Sequence, residues 1–274
     1  MQDESSGTAS TISGIDVHAH YGTYLREPAR PAHAWMTGSP EVVLRRAARA
    51  NVRITVVSPL AGLLPRGRAD AFTANEQAAE EVSRQPHLRQ WVVVNPLQQA
   101  TFAQAERMLG QPQCVGIKIH PEEHGYAIAD HGRELFALAD ACRAVVLTHS
   151  GEANSLPADF LPFADAFPRV RLILGHLGCG HDGDLTHQVR AITRAAHGNL
   201  YVDTSSASSI ISGLLEWAVD QVGADRILFG TDSPLYSAAT QRARVDQAEI
   251  PLADKRRILH DNAAQLLGLA VEAL

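Results

Sequence analysis

Short and almost continuously apolar runs recur along the chain, and each closes on a polar residue. They are Ile12 to His18, Val52 to Ser58, Gln90 to Asn95, Val115 to His120, Ala144 to His149, Arg171 to His176, Leu200 to Thr204 and Arg226 to Thr231. Apolar runs without alternation suit parallel strands covered on both faces, so the pattern predicts eight strands. Between them the spacing turns helical. Ser39-Pro40-Glu41 sets an N-cap ahead of a proline at the first helical position. Thr73 to Glu76 and Thr101 to Gln104 have the capping-box spacing and predict two more helix starts. Amphipathic stretches follow at Arg133 to Cys142, Pro157 to Phe167, Leu185 to Ala196, Ser208 to Val222 and Leu252 to Leu267, with Gly198 and Gly223 placed as C-terminal stops.

Eight strand-helix units between Ile12 and Leu269 have the rhythm of a (β/α)8 TIM barrel, an α/β fold in which a parallel eight-stranded barrel is ringed by helices. A doubly wound open sheet would carry a phosphate-binding glycine fingerprint after its first strand, and none stands there. No linker-like stretch divides the run, which predicts one domain over residues 12–274 behind a disordered polar lead-in over residues 1–11.

Composition narrows the function classes. Of 274 residues 45% are hydrophobic and 20% charged, which is ordinary for a globular domain. The net charge of -6, with arginines scattered along the chain, offers no phosphate-neutralising face and argues against nucleic acid. No apolar run reaches the roughly 20 residues that cross a bilayer, and the start lacks the basic and apolar pattern of a secretory signal. Cys114, Cys142 and Cys179 share no CxxC spacing, which fits a reducing compartment and predicts cytoplasmic residence. A small-molecule substrate and a possible homo-oligomer are the expected partners.

In a TIM barrel the chemistry lies in the loops after the strands, so the polar residues at strand ends carry the functional reading. Asp16-Val17-His18-Ala19-His20 ends the first run, and strand alternation puts His18 and His20 on one side, where two imidazoles can share a metal. His149 ends the fifth run, His176 the sixth, and Asp232 follows the eighth. Any one of these histidines alone could be a hydrogen-bonded core residue; four with an aspartate on one rim point to a divalent metal. Imidazole and carboxylate donors suit Zn2+, with Mn2+, Fe2+ or Ni2+ as alternatives.

These residues resemble the amidohydrolase superfamily, in particular its short single-domain TIM-barrel branch. The resemblance runs over nearly the whole chain: DVHAH after the first strand, IKIHP after the fourth, single histidines after the fifth and sixth, TDSP after the eighth, and a closing Asn262-Ala263-Ala264-Gln265-Leu266-Leu267-Gly268. It implies that His18, His20, His149 and His176 are metal ligands or near-ligands, and that Asp232 both touches metal and handles the proton of an attacking water. Lys118 and His120 should face the mouth together, where a buried ammonium beside a dication is strongly disfavoured. In several members of the superfamily a strand-four lysine is carboxylated and bridges two metals, which leaves one or two ions open. Otherwise the Lys118 amine binds a substrate carboxylate or pairs with Asp232 or Glu122.

The expected activity is hydrolysis of a small amide, cyclic amide, lactone or ester by metal-activated water, with Asp232 as proton shuttle and His120 or His176 steadying the oxyanion. The alternative is a metal-dependent decarboxylase of a small carboxylic acid. Such lyases in the superfamily are typically longer and add arginine contacts, for which this sequence offers only Arg26. A barrel that binds metal or ligand without chemistry is a third reading. Tyr24, Arg26 and Trp35, in the long segment Tyr21 to Pro40, are candidates for a substrate-shaping lid. Cys179 reads as a spectator thiol, and His124, His131, His181 and His187 as mostly solvent-facing.

Overall fold

The computed structural model describes residues 11–269, so the expected lead-in lies almost wholly outside the described residues. Eight parallel strands lie side by side in chain order: β1 (Gly14–Tyr21), β2 (Val52–Pro59), β3 (Leu88–Val93), β4 (Cys114–Ile119), β5 (Val145–Thr148), β6 (Leu172–Leu174), β7 (Leu200–Asp203) and β8 (Ile227–Leu228). Beyond the short β8 the chain closes the ring on β1. Val17 N donates to Phe229 O at 2.9 Å, Asp232 N to His18 O at 2.7 Å and His20 N to Ser233 O at 2.6 Å. The Asp16 carboxylate crosses the same seam and accepts from Thr231 Oγ1 at 2.5 Å and Thr231 N at 3.1 Å. Burial nevertheless pushes the Asp16 carboxyl up to about 8. The architecture is a (β/α)8 TIM barrel.

Ile15, Val17, Ile54, Val56, Trp91, Leu147, Ile173 and Leu228 form one buried cluster drawn from the strands, which is the filling inside the barrel. The opposite strand faces, among them Val92, Ile117, Ile119, Leu172, Leu174 and Val202, pack with helix residues such as Leu135, Phe136 and Val189 in a larger cluster outside it. The pairing of β1 with β2 slips between Asp16 and Ala19, so β1 carries an extra residue there. A bulge of this kind bends a strand and re-aims its side chains. Here it sends Asp16 to the seam while His18 and His20 stay on the mouth side.

Helix starts depart from the sequence expectation where tertiary bonds outweigh local ones. Ser39 does cap Pro40–Arg49, accepting from Val42 N at 3.5 Å. The helix expected from Thr73 begins at Ala71 instead, and Asp70 is its cap, accepting from Thr73 N at 3.0 Å. Ala100–Met108 has no side-chain cap: Thr101 is buried and donates to Gln98 O at 2.8 Å, while Gln104 bonds across to Glu76 and Asn75. Gly223 closes Leu214–Val222 as expected, whereas the preceding barrel helix, His187–Arg194, stops at its C-cap Ala195, short of Gly198. Ala238–Asp246, capped by Ser237, is a helix the sequence pattern did not reveal. No described helix is long and apolar enough to cross a membrane.

Candidate active site

The ends of the strands place the donor atoms. His18 and His20 stand with ring centroids 5.3 Å apart at the mouth end of β1. Each has its Nδ1 already engaged: that of His18 meets Asp203 Oδ2 at 2.7 Å, and that of His20 meets Ser58 Oγ at 2.9 Å. Asp232 Oδ1 lies 3.0 Å from His20 Nε2, and 3.9 Å from His18 Nε2. Donor atoms of His18, His20 and Asp232 all fall within 4.8 Å of one another. Two imidazoles and a carboxylate, each imidazole oriented through its far nitrogen, make a donor set that fits a divalent metal.

Burial, with Lys118 nearby, holds His18 well below the usual imidazole range; burial likewise lowers His120 and His176, helped by the neighbouring His149. Neutral imidazole is the form that binds a metal, so the pocket is prepared for one.

Asp203 was missed by the sequence reading. It ends β7, a strand whose closing polar residues were not read as site residues, although their position was the available signal. Besides orienting His18, its Oδ1 accepts from His176 N and from Ser205 N, each at 2.9 Å. Ser205 Oγ in turn lies 2.8 Å from His176 Nδ1 and 3.0 Å from His18 Nδ1. His176 and Asp232 hold positive φ values of 74° and 53°. For residues with a Cβ that backbone costs about 1 kcal/mol or more, and such strain gathers at functional sites.

Lys118 points into the barrel, fully buried beneath the cavity, with Nζ 2.9 Å from His18 Nε2. It does not pair with Glu122, which instead accepts from Asn154 N at 2.6 Å. Nor is it among the cavity-lining residues, which argues against a direct grip on substrate. Burial pushes its amine down to about 8, against the opposing pull of Asp232 and Asp203. His120 and His149 stack, with centroids 4.3 Å apart and planes 9° from parallel, and His149 lies 4.7 Å from His176. His149 Nε2 is engaged by Glu152 Oε1 at 2.9 Å, so His149 stands beside the His18, His20 and Asp232 set without joining it.

A cavity of about 210 Å³ opens over these donors. Besides the histidines it is lined by Leu60, Leu63, Leu64 and Leu235, which cluster with Tyr24, and by Tyr236. Arg26 lines the mouth and pairs with Glu123; Arg66 reaches the same carboxylate from the β2 loop, with Nε 3.2 Å from Oε2 and Nη2 3.2 Å from Oε1. Arg66 itself stands outside the cavity lining, so Arg26 is the arginine that the lining holds. The segment after β1 is ordered across its base by Gly22 and Gly38, paired at 2.7 Å and 3.1 Å.

Trp35 is not brought to the cavity: it stands 75% exposed on the outer face of that segment, which corrects its place among the substrate-shaping residues. Cys179 lines the mouth with its thiol pushed up to about 11 by burial, as suits a spectator. His124 is buried, not solvent-facing, and its Nε2 sits 2.9 Å from Gly62 O.

Solved structures with the same fold include 2,6-dihydroxybenzoate decarboxylase from Rhizobium (18% identity, TM-score 0.73, covering 94% of this chain and 99% of that one). Another is 5-carboxyvanillate decarboxylase from Sphingomonas paucimobilis (17%, 0.74, 95% and 100%). A third is a dihydroxybenzoic acid decarboxylase from a Polaromonas species, with bound manganese and the inhibitor 2-nitroresorcinol (17%, 0.74, 94% and 97%). The alignments take in nearly the whole of each of these chains, so the expected difference in length does not set this protein apart from them. No curated protein matches the sequence. The amidohydrolase family matches residues 15–269, and the chain belongs to it.

Proposed function

We propose that this protein is a metal-dependent decarboxylase of a small hydroxy-aryl carboxylic acid, with His18, His20 and Asp232 as the core of the metal site. The observation that carries the reading is the mixed lining of the cavity, in which histidines and Asp232 meet an apolar cluster of Leu60, Leu63, Leu64 and Leu235 with Tyr24. An aromatic acid has the matching two parts, an anionic carboxylate for the metal donors and a flat ring for the apolar cluster. The fold relatives that act on dihydroxybenzoate and carboxyvanillate support this chemistry over hydrolysis, which was the first expectation from sequence. Manganese, bound in the Polaromonas relative, is the ion to test before zinc.

The overall reaction exchanges a carboxylate for a proton on one ring carbon. That carbon accepts a proton, its bond to the carboxyl carbon breaks, the bonding pair restores the aromatic ring, and carbon dioxide leaves. A divalent metal held here supplies Lewis acidity and an anchor for the substrate's anionic oxygens. Asp232 carries the proton on a carboxylate oxygen and delivers it to the ring carbon. His20, 3.0 Å from Asp232 Oδ1, orients that carboxylate. Asp203 and Ser205 hold His18 and His176 in place. The leucine cluster excludes water and lets a neutral, apolar gas form in place of a solvated anion. Lys118, with Nζ 2.9 Å from His18 Nε2, holds a positive charge or a neutral amine against the imidazole that would serve as a metal donor.

The test uses manganese-loaded protein and 2,6-dihydroxybenzoate labelled with carbon-13 in the carboxyl group. Labelled carbon dioxide above a chelator-stripped control is the expected result. Hydrolysis of a lactone or amide, with no gas from any hydroxybenzoate, would return the reading to hydrolysis.

A further inference from the structure

The turn Pro121–His124 that follows β4 joins three neighbouring loops through consecutive residues. Glu122 holds Asn154 of the β5 loop, Glu123 holds Arg26 of the β1 segment and Arg66 of the β2 loop, and His124 holds Gly62 O. Glu123 is the member that faces the cavity, and its side chain is only 6% exposed although the two arginines are 40% and 48% exposed. A nearly buried carboxylate thus sits between two half-exposed guanidinium groups.

Glu152 lines the same cavity and acts electrostatically on both arginines, and Glu122 acts on Arg66. Both arginines thus have Glu152 near them besides Glu123, while the third nearby arginine, Arg68, pairs outside with Glu27 at 3.0 Å. Arg26, which lines the cavity, would ordinarily attract an anion, because its planar fork matches a carboxylate; Arg66 stands outside the lining and meets the same Glu123. At this mouth that place is filled by the protein's own carboxylate.

We propose that Glu123 is a specificity-determining residue. As the buried counter-ion of Arg26 and Arg66 it withholds both guanidinium groups, so that the site takes an aromatic acid with a single carboxylate and rejects one with a second anionic group at the far end of its ring. This rests on the decarboxylase reading, which sends the reacting carboxylate to the metal donors and the rest of the ring toward the mouth. Of the substrates in the names of the fold relatives, a monocarboxylate such as dihydroxybenzoate fits and a dicarboxylate such as carboxyvanillate does not.

The experiment is calorimetric binding to manganese-loaded protein of salicylate and of 4-hydroxyisophthalate, which is salicylate with one more carboxylate. The wild type should bind salicylate at least about tenfold more tightly. Glu123→Gln, which keeps the shape of the side chain and drops its charge, should shift that ratio about tenfold toward the dicarboxylate. Arg66→Gln should shift it further toward salicylate. A purely structural role for Glu123 would weaken both ligands alike and leave the ratio fixed, which overturns the proposal. A wild type that prefers the dicarboxylate overturns it too. Binding of neither ligand would instead bring down the reading of the cavity as an aromatic-acid site, and this proposal with it.

Discussion

Asp203 and Asp232 are both carboxylates at strand ends on the same rim, and their partners separate their roles. Asp203 is fully buried and spends its oxygens on His18 Nδ1, His176 N and Ser205. Asp203→Asn should therefore weaken divalent-metal affinity by about ten- to a hundredfold through loss of imidazole orientation, as read by competition with a chelating dye. Unchanged affinity would leave Asp203 a purely structural residue. Asp232 lines the cavity and keeps an oxygen near both Nε2 atoms. Asp232→Asn should retain metal yet lose about a hundred- to ten-thousandfold in turnover, measured as carbon dioxide release beside the metal content of the same sample. Near-normal turnover with metal bound would remove Asp232 as the proton carrier. The histidines were legible in the sequence because each follows an apolar run. Asp203 was not read because Leu200 to Thr204 contains no histidine to draw attention to its end. Trp35 was misplaced because a long loop in sequence does not reveal which of its side chains turns inward.

Strands were easier to read than helices, and the reason is physical. Runs such as Val115 to His120 need only two covered faces, so their apolar composition alone marks them, and all eight appear within a few residues of the expected bounds. Helix starts depend on which competing hydrogen bond wins, and at Thr101 the bonds to Gln98 and Asn95 won. The β1 bulge also lay outside a reading by simple alternation.

Close packing between elements gives a direct stability test at Gly116 of β4. A Cβ there would lie 2.4 Å from Val145 O and 2.6 Å from Trp91 Cζ3. Backbone oxygen cannot yield as a flexible side-chain tip can, so Gly116→Ala should destabilise the fold by about 1–3 kcal/mol in denaturant unfolding. An unchanged midpoint would contradict the packing described.

Between helices, Glu216 of Leu214–Val222 pairs with Arg244 of Ala238–Asp246 and accepts from Glu249 N at 2.9 Å. Burial works to raise its carboxyl, but the Arg244 and backbone hydrogen bonds outweigh it and hold the group at about 2, below the usual 4.5. A depressed acid contributes stability above its unfolded value and loses it as pH falls. The difference between wild type and Glu216→Gln, about 2 kcal/mol at neutral pH, should shrink as pH drops from about 4.5 toward 2. A difference that does not change over that range would contradict the pairing.

For the molecule as a whole, ring closure and chemistry share one seam. The backbone that joins β1 to the segment after β8 runs through His18 and Asp232, so the bonds that shut the barrel also fix the residues proposed as metal donors. This explains why the order of motifs along the chain pointed to fold and site together: in a barrel whose strands follow chain order, the strand ends share one rim. The reaction was not legible in the same way, because the donor set proposed for a metal does not by itself choose between hydrolysis and decarboxylation, and the apolar part of the cavity is brought together only in the fold, from the loops after β1, β2 and β8. The central claim, that His18, His20 and Asp232 form the core of a divalent-metal site, is tested most directly by anomalous diffraction from a manganese-loaded crystal. A peak bonded to His18 Nε2, His20 Nε2 and an Asp232 carboxylate oxygen is the predicted result. No peak, or a peak away from these three residues, would contradict it.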